Sequence, residues 1–335
     1  MSTISTASRP ERTPMIDTDF DAHVEQHRRA LHAHCYRMLA SLHDADDALQ
    51  ETLLRAWKGL DRFDGRSSIR TWLYTIATNV CLRAAERRQR QLLPIDTGPS
   101  SNLSTATWER IEVRPDPYPT QGVNVPEDAA LRSESLGLAF VAATQLLPPS
   151  QRAVLVLREV HCYSARETAT MLDMSTAAVN SSLQRARRTL TEHTRSGSQP
   201  IDQIDPARRA ELVRDYVHAW QTGDLQALLD LLTDDATFQM PPMETWFSGR
   251  PAIAEFLPTG PLREEWRLVP AEANGQLAFG CYAWNPATQR FEAHSLDVLS
   301  IADGQINGIT SFLSAPLLSN FELPRSLDPT GRADG

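Results

Sequence analysis

The stretch that decides the reading is residues 147–190, LPPSQRAVLVLREVHCYSARETATMLDMSTAAVNSSLQRARRTL. Two helix starts are visible in it. Ser164 precedes a helical run with Glu167 three residues on, the spacing of a capping box. Ser175 opens a second run after the short break Leu172-Asp173-Met174. That is the pattern of a helix-turn-helix. The second helix offers Thr176, Ala177, Asn180, Ser181 and Gln184 along its first turns, small or polar groups able to approach base edges in a major groove. Arg185, Arg187 and Arg188 follow and suit phosphates. Val154, Leu155, Leu157, Ala169, Leu172, Val179, Leu183 and Leu190 are expected to form the core beneath.

Outward from this unit, 335 residues suffice for two or three domains. No run of 18 apolar residues suggests a membrane span. The N-terminus lacks the apolar centre of a signal peptide and reads as a disordered tail over 1–20, in a cytoplasmic protein. The four cysteines are far apart, with no CxxC or Cys/His cluster, so neither a metal nor a disulfide framework is expected. The net charge of −9 is unevenly shared: residues 1–200 carry 24 basic and 23 acidic groups, residues 201–335 carry 9 and 19. DNA contact is therefore expected from the first half, where the basic residues cluster.

Residues 22–93 are helical in pattern, with Leu49, Leu53, Ala56, Trp57 and Leu60 at helical spacing. A second long helix is expected from about Ser68 to Gln91, with Ile69, Trp72, Leu73, Ile76, Ala77 and Val80 on one face. Residues 94–126 are rich in Pro, Gly, Ser and Thr and read as an extended linker. A helix is expected to resume near Glu127 and lead into the helix-turn-helix, with a shorter linker at 196–204. From residue 205 to 323 the pattern becomes α+β. Helices are expected at 206–221, 224–232 and 250–257, and strands at 236–240, 265–273, 276–285, 291–302 and 305–313. Turn sequences fall at 285–288 and 303–304. Helices followed by an antiparallel meander imply a curved sheet wrapped on helices, with a flexible tail at 324–335.

Two blocks in the first half carry a family resemblance. DADDALQETLLRAW at 44–57, followed by FDGRSSIRTWLYTIATNVCLRAAERR at 63–88, resembles region 2 of the sigma-70 family, most closely its short extracytoplasmic-function type. The LPPSQRAVLVLRE lead-in with its helix-turn-helix resembles region 4. The order of the blocks and the loose linker between them match. The fold class implied is multidomain: two all-α sigma domains, at 21–93 and 127–195, and an α+β domain.

The resemblance implies roles residue by residue. Asp44, Asp46, Asp47, Gln50 and Glu51 match the helix that docks on the clamp helices of the RNA polymerase largest subunit; region 4 is expected beside the β-flap. Arg66, Arg70, Trp72, Asn79, Arg83, Arg87 and Arg88 match the segment that opens and reads the −10 element. Melting needs side chains that hold bases out of the stack and cations that follow the strand. Thr176, Ala177, Asn180, Ser181 and Gln184 would face the −35 element, with Arg185, Arg187 and Arg188 on its backbone. The implied partners are core RNA polymerase and promoter DNA, with an anti-sigma factor or a small ligand as further candidates.

Residues 206–322 resemble the SnoaL-like, nuclear transport factor 2-like superfamily, through DDATFQMPP at 234–242, WFSGRPAIAEFL at 246–257 and ADGQINGITSFL at 302–313. Such a cone encloses an apolar pocket, with Met240, Trp246, Phe256, Trp266, Trp284, His294 and Phe312 as candidate lining. Asp297 and His294 are the only candidates for chemistry. Strand alternation sets them on opposite faces, so no catalytic dyad, cofactor or enzymatic activity is expected. The acidic C-terminal domain is expected to regulate the first half by electrostatic docking. Two rival readings remain: a one-component helix-turn-helix regulator with a ligand domain, and a SnoaL-like isomerase or cyclase with a DNA-binding appendage.

Overall fold

The computed structural model describes residues 14–63, 65–87, 92–111, 115–120, 137–193 and 199–332. Helix α1 (Pro14–Leu39) packs with α2 (Leu42–Gly59) and α3 (Ile69–Ala85) into one bundle. The helix therefore begins inside the segment expected to be disordered. Ser41 and Ser68 cap α2 and α3, each accepting from a backbone N–H three residues on.

The second helical unit follows as α4 (Leu138–Gln145), α5 (Pro149–Leu155), one π-helical turn at Val156–Val160, α6 (Ala165–Leu172) and α7 (Thr176–His193). The helix expected near Glu127 lies outside the described residues. The capping box is present: Ser164 Oγ accepts from Glu167 N at 3.1 Å, and Glu167 Oε2 from Ser164 N at 2.8 Å. Asp173 ends α6 in the left-handed region and Ser175 Oγ accepts from Ala178 N, which sets the turn into α7. Arg152 of the lead-in is buried. Its guanidinium donates to the carbonyls of Thr144, Leu147 and, across to the first bundle, Met38. The lead-in thus ties α5 to the ends of α4 and α1.

The two helical units are not separate bodies. Leu157, Val160, Tyr163 and Met171 share one core with Leu31, Tyr74 and Ala77.

The C-terminal part holds α8 (Pro206–Thr222), α9 (Leu225–Asp230), β1 (Leu232–Gln239), β2 (Trp246–Ser248), α10 (Arg250–Phe256), β3 (Trp266–Ala273), β4 (Gln276–Asn285), β5 (Arg290–Ala302), β6 (Gln305–Phe312) and β7 (Ser326–Leu327). The sheet order is β2-β1-β6-β5-β4-β3, antiparallel except for the parallel β1–β6 pair, with β7 on β5. Asp303 and Gly304 both take positive φ, the requirement of the two-residue turn joining β5 to β6. One face of the sheet wraps the three helices over Tyr216, Trp220 and Phe238. The other face is covered as well, by Leu317, Leu318 and Phe321, and by Leu93, Leu138 and Ala142 from the first half of the chain. The C-terminal segment at 324–332 contributes β7 and is part of the sheet rather than a free tail.

Candidate functional site

Helix α7 sorts its side chains by angle. Val179, Ser182, Leu183 and Ala186 are buried against α5 and α6. Thr176, Ala177, Asn180, Ser181, Gln184, Arg185, Arg187 and Arg188 are all exposed, and helical periodicity gathers them on the opposite arc. Their charged members are held locally. Arg185 donates to Ser181 Oγ at 2.6 Å, Arg187 pairs with Glu159 at 2.7 Å and Arg188 lies 3.8 Å from Glu192. The polar arc is open to a partner.

Helix α2 is built differently from its expected reading. Asp44 is buried at the helix start, its N–H on Ser41 Oγ, and so is removed from any docking surface. Asp46, Asp47 and Gln50 are exposed and Glu51 half-buried. Asp46 lies 3.2 Å from His32 Nε2, and Glu51 pairs with Arg55 at 2.6 Å. The same face carries Leu54 and Trp57, which are 53% and 50% exposed. Trp57 thus leaves the core where its spacing put it. An exposed Leu–Trp pair amid carboxylates is an unusual surface for a soluble helix, and sequence periodicity gave no signal for it.

Around α3, Arg66, Arg83 and Arg87 are exposed, and Arg88 lies outside the described residues. Trp72 is half-buried against Phe63, ring centroids 4.9 Å apart. Asn79 turns back on its own helix, donating to Thr75 O at 2.9 Å. Arg70 is engaged: its guanidinium sits 5.2 Å from the Tyr74 ring and 5.6 Å from Tyr163 of the second helical unit.

Beneath Arg70 lies a pair that sequence reading missed. His34 Nδ1 and His161 Nε2 are 3.0 Å apart, and His34 Nε2 is 3.0 Å from Thr78 Oγ1. Thr78 donates to Tyr74 O, so its oxygen accepts from His34 Nε2–H. His34 Nδ1 is then the acceptor and His161 Nε2–H the donor, which leaves His161 Nδ1 bare, as found. Burial, with Arg37 nearby, drives His34 down to about 3. Burial, His34, Arg37 and Arg70 hold His161 well below its ordinary value. Both rings are neutral and bridge the two helical units.

The third contact is neutral too. At the β3–β4 turn, Asn274 (φ 55°) accepts from Tyr118 N at 2.8 Å and donates to Tyr36 Oη at 2.9 Å. Tyr36 in turn donates to Asp116 O at 2.6 Å. Gln276 accepts from Leu138 N at 2.9 Å, at the start of α4. Among the described residues, the expected docking of acidic tail on arginines is not what joins the halves. Hydrogen-bonded Asn, Gln and Tyr do, beside the apolar patch of Leu93, Leu138 and Ala142.

The segment expected to be a loose linker is bonded along its described length. Ser101 N donates to Trp246 O, Thr107 N to Thr245 Oγ1, Ile111 N to Pro242 O and Thr120 N to Glu272 O. Its Trp108 ring lies 6.0 Å from Phe256.

Inside the cone is a cavity of about 620 Å³. Met240, Phe256, Trp266 and His294 line it. Trp246, Trp284 and Phe312 do not. Trp246 faces the linker, donating to Gly98 O at 3.0 Å. Trp284 and Phe312 pack on the other face of the sheet. Asp297 and His294 share the cavity, against the expectation from alternation. A bulge in β5 is the reason: Cys281 pairs with Ser295 but Tyr282 with Ala293, which leaves His294 as the extra residue. Tyr216 donates to Asp297 Oδ2 at 2.8 Å. Burial raises the Asp297 carboxyl, offset in part by Ser311, Tyr216 and Cys281. Burial lowers His294, against the pull of Asp297 and Glu264. Both shifts run against the charged form.

Comparison with known proteins fits this layout. Residues 23–91 match Sigma-70 region 2, residues 138–190 match Sigma-70 region 4 and residues 213–309 match the SnoaL-like domain. The chain is thus of the sigma-70 class, with a third domain fused behind region 4. It is 42% identical over 316 residues to the ECF RNA polymerase sigma factor SigG of Mycobacterium tuberculosis, covering 92% of this chain and 85% of that one. It is 29% identical over 173 residues to SigW of Bacillus subtilis, 51% of this chain and 87% of that one. The crystal structure of Mycobacterium tuberculosis SigJ shares the fold, with TM-score 0.62 over 90% of this chain and 99% of that one at 22% identity. The chain belongs to the extracytoplasmic-function sigma factors; it is a transcription initiation factor and not an enzyme.

Proposed function

We propose that this chain works in the cytoplasm, joins core RNA polymerase, carries it to promoters and helps melt them. Asp46, Asp47, Gln50, Glu51, Leu54 and Trp57 of α2 form the polymerase-docking face. Arg66, Arg70, Asn79, Arg83 and Arg87 serve the −10 element. Thr176, Ala177, Asn180, Ser181 and Gln184 read the −35 element, with Arg185, Arg187 and Arg188 on phosphates. The observation that carries this reading is the exposed apolar-acidic face of α2. A one-component regulator has a use for α7 but none for such a face.

The same reading assigns a regulatory role to the packed arrangement. The −10 and −35 elements are separate sites along a duplex that rises about 3.4 Å per base pair. Here the regions assigned to them share one core, and Arg70 is stacked on Tyr163. The arrangement is a closed one, which must open for both elements to be read together. The SnoaL-like domain favours the closed arrangement by holding Tyr36, Tyr118 and Leu138 at once.

The test is transcription in vitro with core polymerase, the full chain and a promoter library. Stimulated initiation that falls with Trp57→Ala and Leu54→Asp supports the reading. A truncated interfacial aromatic costs about 2 kcal/mol or more when it anchors a partner, some 30-fold in affinity. Absence of stimulation from every template, or full activity of the Trp57→Ala, Leu54→Asp double variant, refutes it.

A further inference from the structure

Two buried histidines that polymerase docking and promoter reading do not use meet across the seam between the two helical units. His34 comes from α1, and His161 from the segment between the π-helical turn and α6. They are 0% and 7% exposed. Cys162, at φ 57°, turns the chain just after His161. The N–H groups of His161 and Tyr163 donate to Val156 O and Leu157 O. Both side chains are thereby set against region 2, their rings 4.4 Å and 6.3 Å from that of Tyr74. The charged and titratable groups facing the pair are Arg37 from α1, Arg70 and Tyr74 from α3, and Tyr163 before α6. Arg152 of α5 donates to carbonyls instead. Glu159 and Glu167, the acidic groups nearest His161 in sequence, are exposed and engaged by Arg187 and Ser164.

We propose that His34 and His161 form a proton-operated latch: mild acid parts the two helical units while each unit stays folded. In the neutral pair His161 Nε2–H donates to His34 Nδ1, and His34 Nε2–H to Thr78 Oγ1. An added proton has one place on each ring, and neither is tolerated. On His34 it takes Nδ1, removes the acceptor and sets two N–H groups against each other at 3.0 Å. On His161 it takes Nδ1, which has no partner, and leaves a buried cation beside Arg37 and Arg70. The tyrosine rings that could receive a cation already hold Arg70, 5.2 Å from Tyr74 and 5.6 Å from Tyr163. Among the described residues, no carboxylate faces the pair.

Which form binds the proton decides the direction. The packed form holds His34 down to about 3 and His161 well below its ordinary value, in both cases mainly through burial. In the parted form both rings meet water and return toward about 6.5. The latch is therefore engaged above about pH 6.5 and loosens as pH falls below it. Each histidine raises the parted-to-packed ratio by up to about tenfold per pH unit, so the pair gives about 100-fold between pH 7.5 and 5.5. The functional consequence rests on the sigma-factor reading above: mild acid frees Arg70 from Tyr163, releases the two DNA-binding regions from each other and raises initiation.

Hydrogen exchange on the full chain reads the latch at the His161 and Tyr163 amides, which lie in a short turn covered by the seam. Rates are corrected for the intrinsic pH dependence of amide exchange, and amides of the β4–β5 ladder are the control. The expected result is protection that falls about 100-fold from pH 7.5 to 5.5 at the two turn amides and stays level in the ladder. A His34→Gln, His161→Gln chain should show no such fall. His161→Gln alone keeps one titrating ring and should show about tenfold, which serves if the double variant does not fold. His32, beside Asp46 and Tyr118 on another face of α1, stays in every chain. No fall in the parent, or the same fall in either variant, overturns the latch. An equal fall in the ladder means global unfolding and overturns the parting of folded units. Initiation at pH 6 is scored relative to the variant, and no difference overturns the functional consequence. A chain that shows the latch but initiates from no template overturns the sigma-factor reading alone.

Discussion

Replacing Asn274 by glycine isolates the contact that ties the SnoaL-like domain to region 2. Asn274 sits in the left-handed region at the head of the β3–β4 turn, where glycine pays no steric penalty and alanine pays about 1 kcal/mol or more. The glycine variant therefore removes only the amide. Among the hydrogen bonds lost are Tyr118 N to Asn274 Oδ1 at 2.8 Å and Asn274 Nδ2 to Tyr36 Oη at 2.9 Å. The Tyr118 N–H is left buried without an acceptor, at a cost of about 1–3 kcal/mol. The Tyr36 oxygen keeps its own donation to Asp116 O but loses its donor, adding about 0.5–1.5 kcal/mol. Both groups hydrate freely once the domain detaches, so the loss falls on the closed form alone. A shift of about 2 kcal/mol multiplies the open population some 30-fold. Hydrogen exchange reads this at Leu138, whose N–H bonds to Gln276, and at Thr120, whose N–H bonds to Glu272 O. Neither bond is touched by the substitution, and both amides should exchange about 30-fold faster. Amides within the β4–β5 ladder serve as the control and should not change. Initiation at sub-saturating chain should rise in parallel. Unchanged exchange at Leu138 and Thr120 in a chain that keeps its β4–β5 protection would refute the closed-state argument.

The His34–His161 pair predicts acid sensitivity. Both rings are held below their ordinary value, so above about pH 6.5 they contribute no pH dependence. Below it the unfolded or opened chain binds protons that the packed pair refuses, and stability falls by up to about 1.4 kcal/mol per pH unit for each histidine. Urea midpoints from pH 7.5 to 5 should show this slope, and a His34→Gln, His161→Gln chain should flatten it. Arg188→Ala should weaken promoter binding evenly across sequences and reduce the salt slope by about one; retention of the full slope would remove Arg188 from the phosphate contacts. Arg152→Met should lower stability by about 3 kcal/mol, because the carbonyls of Thr144, Leu147 and Met38 lose a buried donor, as chemical denaturation would show.

Much of this layout is legible in the sequence because its signals are local. The capping box at Ser164 and Glu167, the angular order of α7, and the strands at 265–313 follow from periodicity and turn chemistry, which act over a few residues. What is illegible depends on partners distant in the chain. Trp57 has the spacing of a core residue, and only the bundle geometry turns it outward. Asp44 has the charge of a surface residue, but the cap at Ser41 draws it in. Residues 94–120 have a linker's composition, yet their backbone finds acceptors some 130–150 positions away. The single residue that spoils the alternation argument for Asp297 and His294 is a bulge, and nothing in LDVLSIA or FEAHS announces one.

On the proposed reading, the packed arrangement does not treat the two DNA-binding surfaces alike. The arc of α7 from Thr176 to Arg188 is exposed, its arginines held only by neighbours such as Ser181, Glu159 and Glu192. Among the residues proposed for the −10 element, Arg70 is exposed, and its guanidinium lies over the Tyr163 ring while the regions touch. On the proposed reading, duplex DNA bearing a −35 element meets the exposed arc of α7 before opening, whereas Arg70 gives up its Tyr163 contact when it engages a single strand. An exposed cation–π contact is worth about 0.5–1 kcal/mol, too little to hold the regions together alone. The buried histidine pair and the shared core around Leu157 and Tyr74 carry most of that contact. Arg70 is then a follower of the opening and not its lock. Tyr163→Leu should release Arg70 without separating the regions, and on the proposed reading polymerase docking on α2 supplies the energy to part them.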